Sequence, residues 1–131
     1  MKRGRFAAAV FTALFFLARV AYAQEDPGTA IQTVVQATVT GYANGADGGA
    51  VGTMTASGVR THWGTVAADW RLYPPGTRIQ IEGFPDDIFT VEDSGGGVRG
   101  NIVDIWFPEL ATAAAFGTKS LRVTILANAD K

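Results

Sequence analysis

The sequence contains no cysteine and only one histidine, His62, among its 131 residues. Without thiols there is neither a disulfide scaffold nor a thiolate metal site, and a single imidazole cannot form a histidine cluster. The chain is also too short for a second sizeable domain. Basic charge is scarce outside one short segment. The formal net charge is −1, but Lys2, Arg3, Arg5 and Arg19 all fall within residues 1–23. This segment opens with Met-Lys-Arg-Gly-Arg, continues through an apolar stretch from Phe6 to Ala18 and closes on Ala21-Tyr22-Ala23, a small-x-small cleavage pattern. The apolar stretch falls short of the roughly 20 residues a spanning helix needs, so an export signal is expected, with no stable membrane insertion after cleavage. Residues 24–131 carry seven basic and twelve acidic side chains, a charge of −5. Phosphate backbones and anionic membranes attract basic surfaces, so nucleic acid is excluded as an expected partner. The expected product is an exported monomer, periplasmic or extracellular.

Long hydrophobic runs are missing as well. After a polar spacer over 24–33, the domain expected over 34–127 consists of short β-type runs separated by glycine, and 15 of the 16 glycines lie beyond residue 23. Runs are read at Val34 to Tyr42, Gly64 to Asp69, Thr77 to Glu82, Asp87 to Glu92, Asn101 to Phe107 and Leu121 to Leu126. The third alternates strictly and should turn Ile79 and Ile81 inward. Residues 44–52 read as a loop. One helix is expected, with Pro108 at its first position, Glu109 at the positive end of its dipole and Gly117 as a left-handed cap. This pattern indicates a mainly β fold, a small barrel or sandwich with one short helix.

The chemistry is expected to come from aspartates. Asp104 stands in the middle of the apolar run Asn101-Ile-Val-Asp-Ile-Trp-Phe107, where a charge costs several kcal/mol unless it is paired, solvated or protonated. A raised pKa would suit a general acid, whereas a plain structural role would bond Asp104 to backbone amides at a bulge. Asp93 ends a run at the loop Ser94-Gly95-Gly96-Gly97-Val98-Arg99-Gly100, whose amides could receive a ligand's oxygens. It could equally stabilise a tight turn. Asp69 ends another run, beside Trp70. Three aspartates could also hold calcium or magnesium, but the dense spacing of a calcium loop is absent, and no metal or cofactor is expected. Asp86, Asp87 and Glu109 read as turn, surface and helix-start charges, and His62 as part of an exposed loop. Tyr42, Trp63, Trp70, Tyr73 and Trp106 could offer flat faces to sugar rings, although Trp106 fits a core position equally well.

Taken in order, the segments Thr38-x-Thr40-x-Tyr42, Thr55-x-Ser57-Gly58, Gly64-Thr-Val-Ala-x-Asp69, Pro74-x-Gly76-Thr77, Ile81-x-Gly83, Glu92-Asp93-Ser94-Gly95-Gly96, Gly100-Asn101-x-x-Asp104 and Phe116-Gly117 resemble the 3D (three-aspartate) domain. That domain occurs in MltA-type peptidoglycan lytic transglycosylases and in small stationary-phase cell-wall proteins. The resemblance implies a six-stranded double-psi β-barrel with a groove on one face. It maps the family's aspartates onto Asp69, Asp93 and Asp104, the last as catalytic acid. It further implies substrate contacts from Tyr42, Thr55, Trp63, Trp70, Ser94, Gly95 and Gly96, with peptidoglycan glycan strands as the partner. Ser94, Trp70 and Pro75 depart from the usual pattern. Two other functions fit the same residues: a two-carboxylate glycan hydrolase and a non-catalytic, expansin-like wall-binding module.

Overall fold

The alternating segment forms β3 (Arg78–Ile81), where Ile79 and Ile81 are fully buried while Arg78 is exposed, as a period of two requires. The other strands are β1 (Thr33–Tyr42), β2 (Thr65–Ala68), β4 (Phe89–Asp93), β5 (Ile102–Trp106) and β6 (Lys119–Ile125), with a single helix α1 (Leu110–Phe116) between β5 and β6. The structure is a computed structural model and describes residues 32–44 and 52–127. The expected export signal, most of the spacer and most of the loop over 44–52 lie outside the described residues.

The six strands close into a barrel in the order β1-β5-β2-β4-β3-β6, which leaves no unpaired sheet edge. Two pairings, β1 with β5 and β2 with β4, are parallel, and the rest are antiparallel. Val39, Val66, Ile79, Ile81, Phe89, Val91, Val103, Ile105 and Val123 fill the interior. Burial of this continuous apolar core is what holds a domain of this size together without covalent staples.

One end of the barrel is closed by aromatic rings. Trp63 lies 5.6 Å from both Phe89 and Phe107, and Phe107 lies 5.4 Å from Phe116 of α1. The helix rests on β1 through Ala113, its one buried residue. Gly41 permits this approach, since a Cβ there would stand 2.8 Å from the Phe107 ring.

The larger boundary differences from the sequence reading fall at the helix and at the starts of β4 and β6. The helix begins at Leu110, so Pro108 and Glu109 precede it. Glu109 is extended (φ −121°, ψ 133°) and its carbonyl accepts the first helical bond, from the Ala113 N–H, which makes it the cap residue and not part of the first turn. Gly117 has the positive φ of a glycine cap (69°), but its ψ of −145° lies outside the left-handed helical well. β4 starts at Phe89, because the Asp87 N–H is used in a turn onto the Phe84 carbonyl. β6 starts two residues early, at Lys119, because β1 is long enough to pair with it there.

Candidate active site

Asp104 sits between Val103 and Ile105, whose side chains enter the core, so its own side chain faces outward. Register places Thr40 of β1 on one side of it and Ala67 of β2 on the other. The Thr40 hydroxyl donates to Asp104 Oδ1 at 2.9 Å. Thr38, Thr40 and Tyr42 alternate on β1 and share this outer face.

Asp93 reaches the same face by a β-bulge. β2 and β4 pair Val66 with Val91, then slip by one residue, so that Ala67 opposes Asp93 and not Glu92. Ala67 therefore lies between the two aspartates. With strands about 4.8 Å apart, their backbones are about 10 Å from one another. The small alanine leaves the space above it open, and a cleft of about 330 Å³ forms there. Its lining includes Tyr42, Ala67, Asp93, Ser94, Gly95 and Asp104.

The two carboxylates have different surroundings. Asp93 Oδ1 accepts the Ala56 and Ser94 amides, each at 2.9 Å, and Oδ2 accepts the Tyr42 hydroxyl at 3.0 Å. Its oxygens are committed as acceptors and its position is fixed. Burial beside Asp93 pushes the Tyr42 phenol far above its ordinary range and keeps it a donor. Asp104 is half-buried and has one donor. Burial pushes its pKa up from the ordinary carboxylate value, the Thr40 bond opposes this, and the negative charge of Asp93 adds to the rise.

Asp69 does not line the cleft. It is 5% exposed and takes the Arg71 guanidinium in a forked contact at 2.7 and 3.0 Å, together with the Gly100 amide at 2.9 Å. Those bonds hold its carboxyl well below the usual range and tie the end of β2 to the end of the glycine-rich loop. Among the described residues no three histidine, aspartate or glutamate side chains converge in a way that could hold a metal ion. Trp70 is half-buried, and its indole N–H donates to the Asp93 carbonyl at 3.0 Å. It braces Asp93 from behind the cleft. Thr55 is buried as a strut of the hairpin 53–61, bonded to Ser57 and Val59. Trp63 belongs to the aromatic end, with its indole N–H on Asp87. Gly96 is exposed in the loop, and its neighbours Gly95 and Gly97 line the cleft instead. Trp106 is a core residue and His62 is exposed.

Comparison with known proteins bears on the family and the fold. Residues 64–127 match the family model of the 3D domain. The chain carries a 3D domain. The cell wall-binding protein YocH of Bacillus subtilis (strain 168) is 30% identical over 93 residues, covering 68% of this chain and 32% of YocH. The putative cell wall shaping protein YabE of the same organism is 33% identical over 61 residues, 47% of this chain and 14% of YabE. The chain thus spans a third or less of these relatives. A crystal structure of Escherichia coli MltA, described as revealing a unique lytic transglycosylase fold, superposes with a TM-score of 0.50 at 27% identity, over 60% of this chain and 28% of that one. MltA with bound chitohexaose superposes equally well (TM-score 0.50) at 23% identity, over 60% of this chain and 29% of that one, which shows the fold.

Thr40, on β1 and N-terminal to the matched residues, is a cleft residue to which the sequence reading assigned no role. A signal was present, because Thr38-x-Thr40-x-Tyr42 alternates and must share one face. Which face became evident only from the parallel pairing of β1 with β5. Val98 and Ile102 line the cleft as apolar walls and carry no chemical signature in the sequence.

Proposed function

We propose that this 3D domain is a peptidoglycan lytic transglycosylase domain, cleaving the β-1,4 bond between N-acetylmuramic acid and N-acetylglucosamine. The observation that carries the reading is Asp104, half-buried in a cleft, with its pKa displaced upward and a second, fixed carboxylate on the same face. The similarity to MltA at 27% identity supports it. In this reading the Asp104 carboxyl donates its proton to the glycosidic oxygen as the C1–O4 bond breaks. The resulting carboxylate then takes the proton of the muramic C6 hydroxyl while O6 bonds to C1, which closes a 1,6-anhydro ring without consuming water. Asp93 stabilises the positive charge that develops at the ring, and Tyr42 and the Ser94–Gly95 backbone position the sugar. Asp69 contributes by holding the glycine-rich loop. The two parallel pairings support a barrel of the double-psi type, and the cell-wall relatives support an exported protein acting on glycan strands. No helix of the described residues is long and apolar enough to cross a membrane.

Two other readings rest on particular observations. Backbones about 10 Å apart leave Asp93 and Asp104 room for a water between them, as in an inverting hydrolase, whose carboxyls stand roughly 6.5–9.5 Å apart. YocH is named a cell wall-binding protein, which favours a module that binds and does not cut. Catalysis is tested with Asp104→Asn: the variant should still sediment with purified sacculi while releasing no soluble fragments. Release at the unmodified rate would remove Asp104 from the mechanism.

A further inference from the structure

The residue displaced by the bulge has no place in the chemistry above, yet its side chain is tightly held. Val66 and Val91 both point inward and are fully buried. Without the slip, Glu92 would oppose Ala67 on the outer face and Asp93 would follow Val91 toward the interior, since a one-residue shift exchanges faces. Glu92 is thus the extra residue whose exclusion presents Asp93 to the cleft. Its side chain is 14% exposed. It accepts the Thr65 hydroxyl at 2.7 Å and meets His62 Nε2 at 3.0 Å. The other imidazole nitrogen, Nδ1, lies 2.9 Å from the Trp63 carbonyl, and the His62 N–H donates to Thr65 Oγ1. On the backbone side, the Ser57 N–H donates to the Glu92 carbonyl, next to the Ala56 N–H that holds Asp93.

We propose that Glu92 and His62 are positioning residues that hold the β4 bulge in place and thereby fix the Asp93 carboxylate in the cleft. The proposal deepens the assignment of Asp93 above and rests on it for its catalytic consequence. Both imidazole nitrogens face acceptors, a carbonyl and a carboxylate, and only the doubly protonated ring satisfies both. In keeping with this, the Trp63 carbonyl and then Glu92 raise the pKa of His62 above its ordinary 6.5, against the effect of its partial burial. The charged groups nearby are few. Glu92 of β4 is in contact, Asp93 follows it along the strand, Asp87 is engaged by the Trp63 indole, and Arg60 donates to the Gly52 carbonyl. The fastening is therefore complete below pH 6.5 and is released as pH rises through the elevated value.

Amide chemical shifts of the uniformly ¹⁵N-labelled protein read this out directly, because Ala56 and Ser94 both donate to Asp93 Oδ1. On raising the pH, both amides should move with the midpoint of the His62 ring proton resonances, and the step should vanish in His62→Gln. Glu92→Ala should displace both amides even at low pH, with Glu92→Gln falling between. Cleavage by Glu92→Ala should drop on the order of a hundredfold, the usual consequence of a catalytic group misplaced by about 1 Å. Amides that stay flat through the His62 midpoint would overturn the proposal. His62 is 53% exposed, so its variant folds and gives this result even if Glu92→Ala does not. Amides that follow His62 in a protein that cuts nothing would uphold the positioning role and overturn the catalytic reading alone.

Discussion

Replacing Thr40 with valine removes the one hydrogen bond on Asp104 at nearly constant shape. Hydrogen bonds to charged groups contribute about 1.5–3 kcal/mol. Asp104 is only half-buried, and solvent screening brings the figure to about 1–1.5 kcal/mol. Since 1.36 kcal/mol corresponds to about one pH unit, the Asp104 carboxyl of Thr40→Val should titrate about one pH unit higher than in the unmodified protein. Carboxyl ¹³C resonances followed against pH measure this. Stability provides a second readout, and its sign follows from linkage. Burial raises the pKa of Asp104 in the fold, so its ionisation opposes folding. Stability is complete below the ordinary value of 3.8 and falls as pH rises through the folded one. The variant should therefore match the parent in urea at pH 3 and be about 1 kcal/mol less stable at pH 7. An Asp104 titration that stays put or moves down would refute the assignment of Thr40 as the donor that keeps the carboxylate in balance.

Two further outcomes are expected. Asp69→Asn should lose the forked Arg71 contact and flatten the acid limb of the stability profile, because the depressed pKa of Asp69 stabilises the fold above its ordinary value of 3.8 and this stability is lost as pH falls below it. Urea midpoints taken between pH 2 and 7 for parent and variant check this. Gly41→Ala should cost about 1–3 kcal/mol, as the new methyl meets the Phe107 ring at 2.8 Å, and should loosen the seat of α1. Thermal denaturation measures the cost, and amide exchange in residues 110–116 measures the loosening.

Much of this was legible in the residues. The alternation around Ile79 and Ile81 gave a strand, and glycine between short apolar runs gave a barrel or sandwich, of which the closed barrel is the one formed. A carboxylate between Val103 and Ile105 required a partner, a cleft or a raised pKa, and it has the Thr40 hydroxyl, the cleft and an upward-displaced pKa. Asp69 and Asp93 looked alike, each ending a short run beside a turn. Their separation depends on pairing across strands: Asp93 gains the outer face through a one-residue slip against β2, while Asp69 lies beyond the last paired residue and turns to Arg71 and Gly100. No local pattern encodes that slip. Trp63 and Trp70 looked equally suited to a sugar face, but one closes the barrel end with Phe89 and Phe107 and the other supports the Asp93 backbone. Aromatic character gives a side chain's affinity for flat apolar surfaces, and the barrel's own rings compete for it.

Product mass from sacculi digested with the purified protein tests the central claim most directly. Internal return of the C6 hydroxyl predicts fragments ending in 1,6-anhydro-muramic acid, one water lighter than reducing ends, and none from Asp104→Asn. Reducing ends of full mass would contradict it in favour of hydrolysis, and sacculi bound but left intact would contradict it in favour of a binding module.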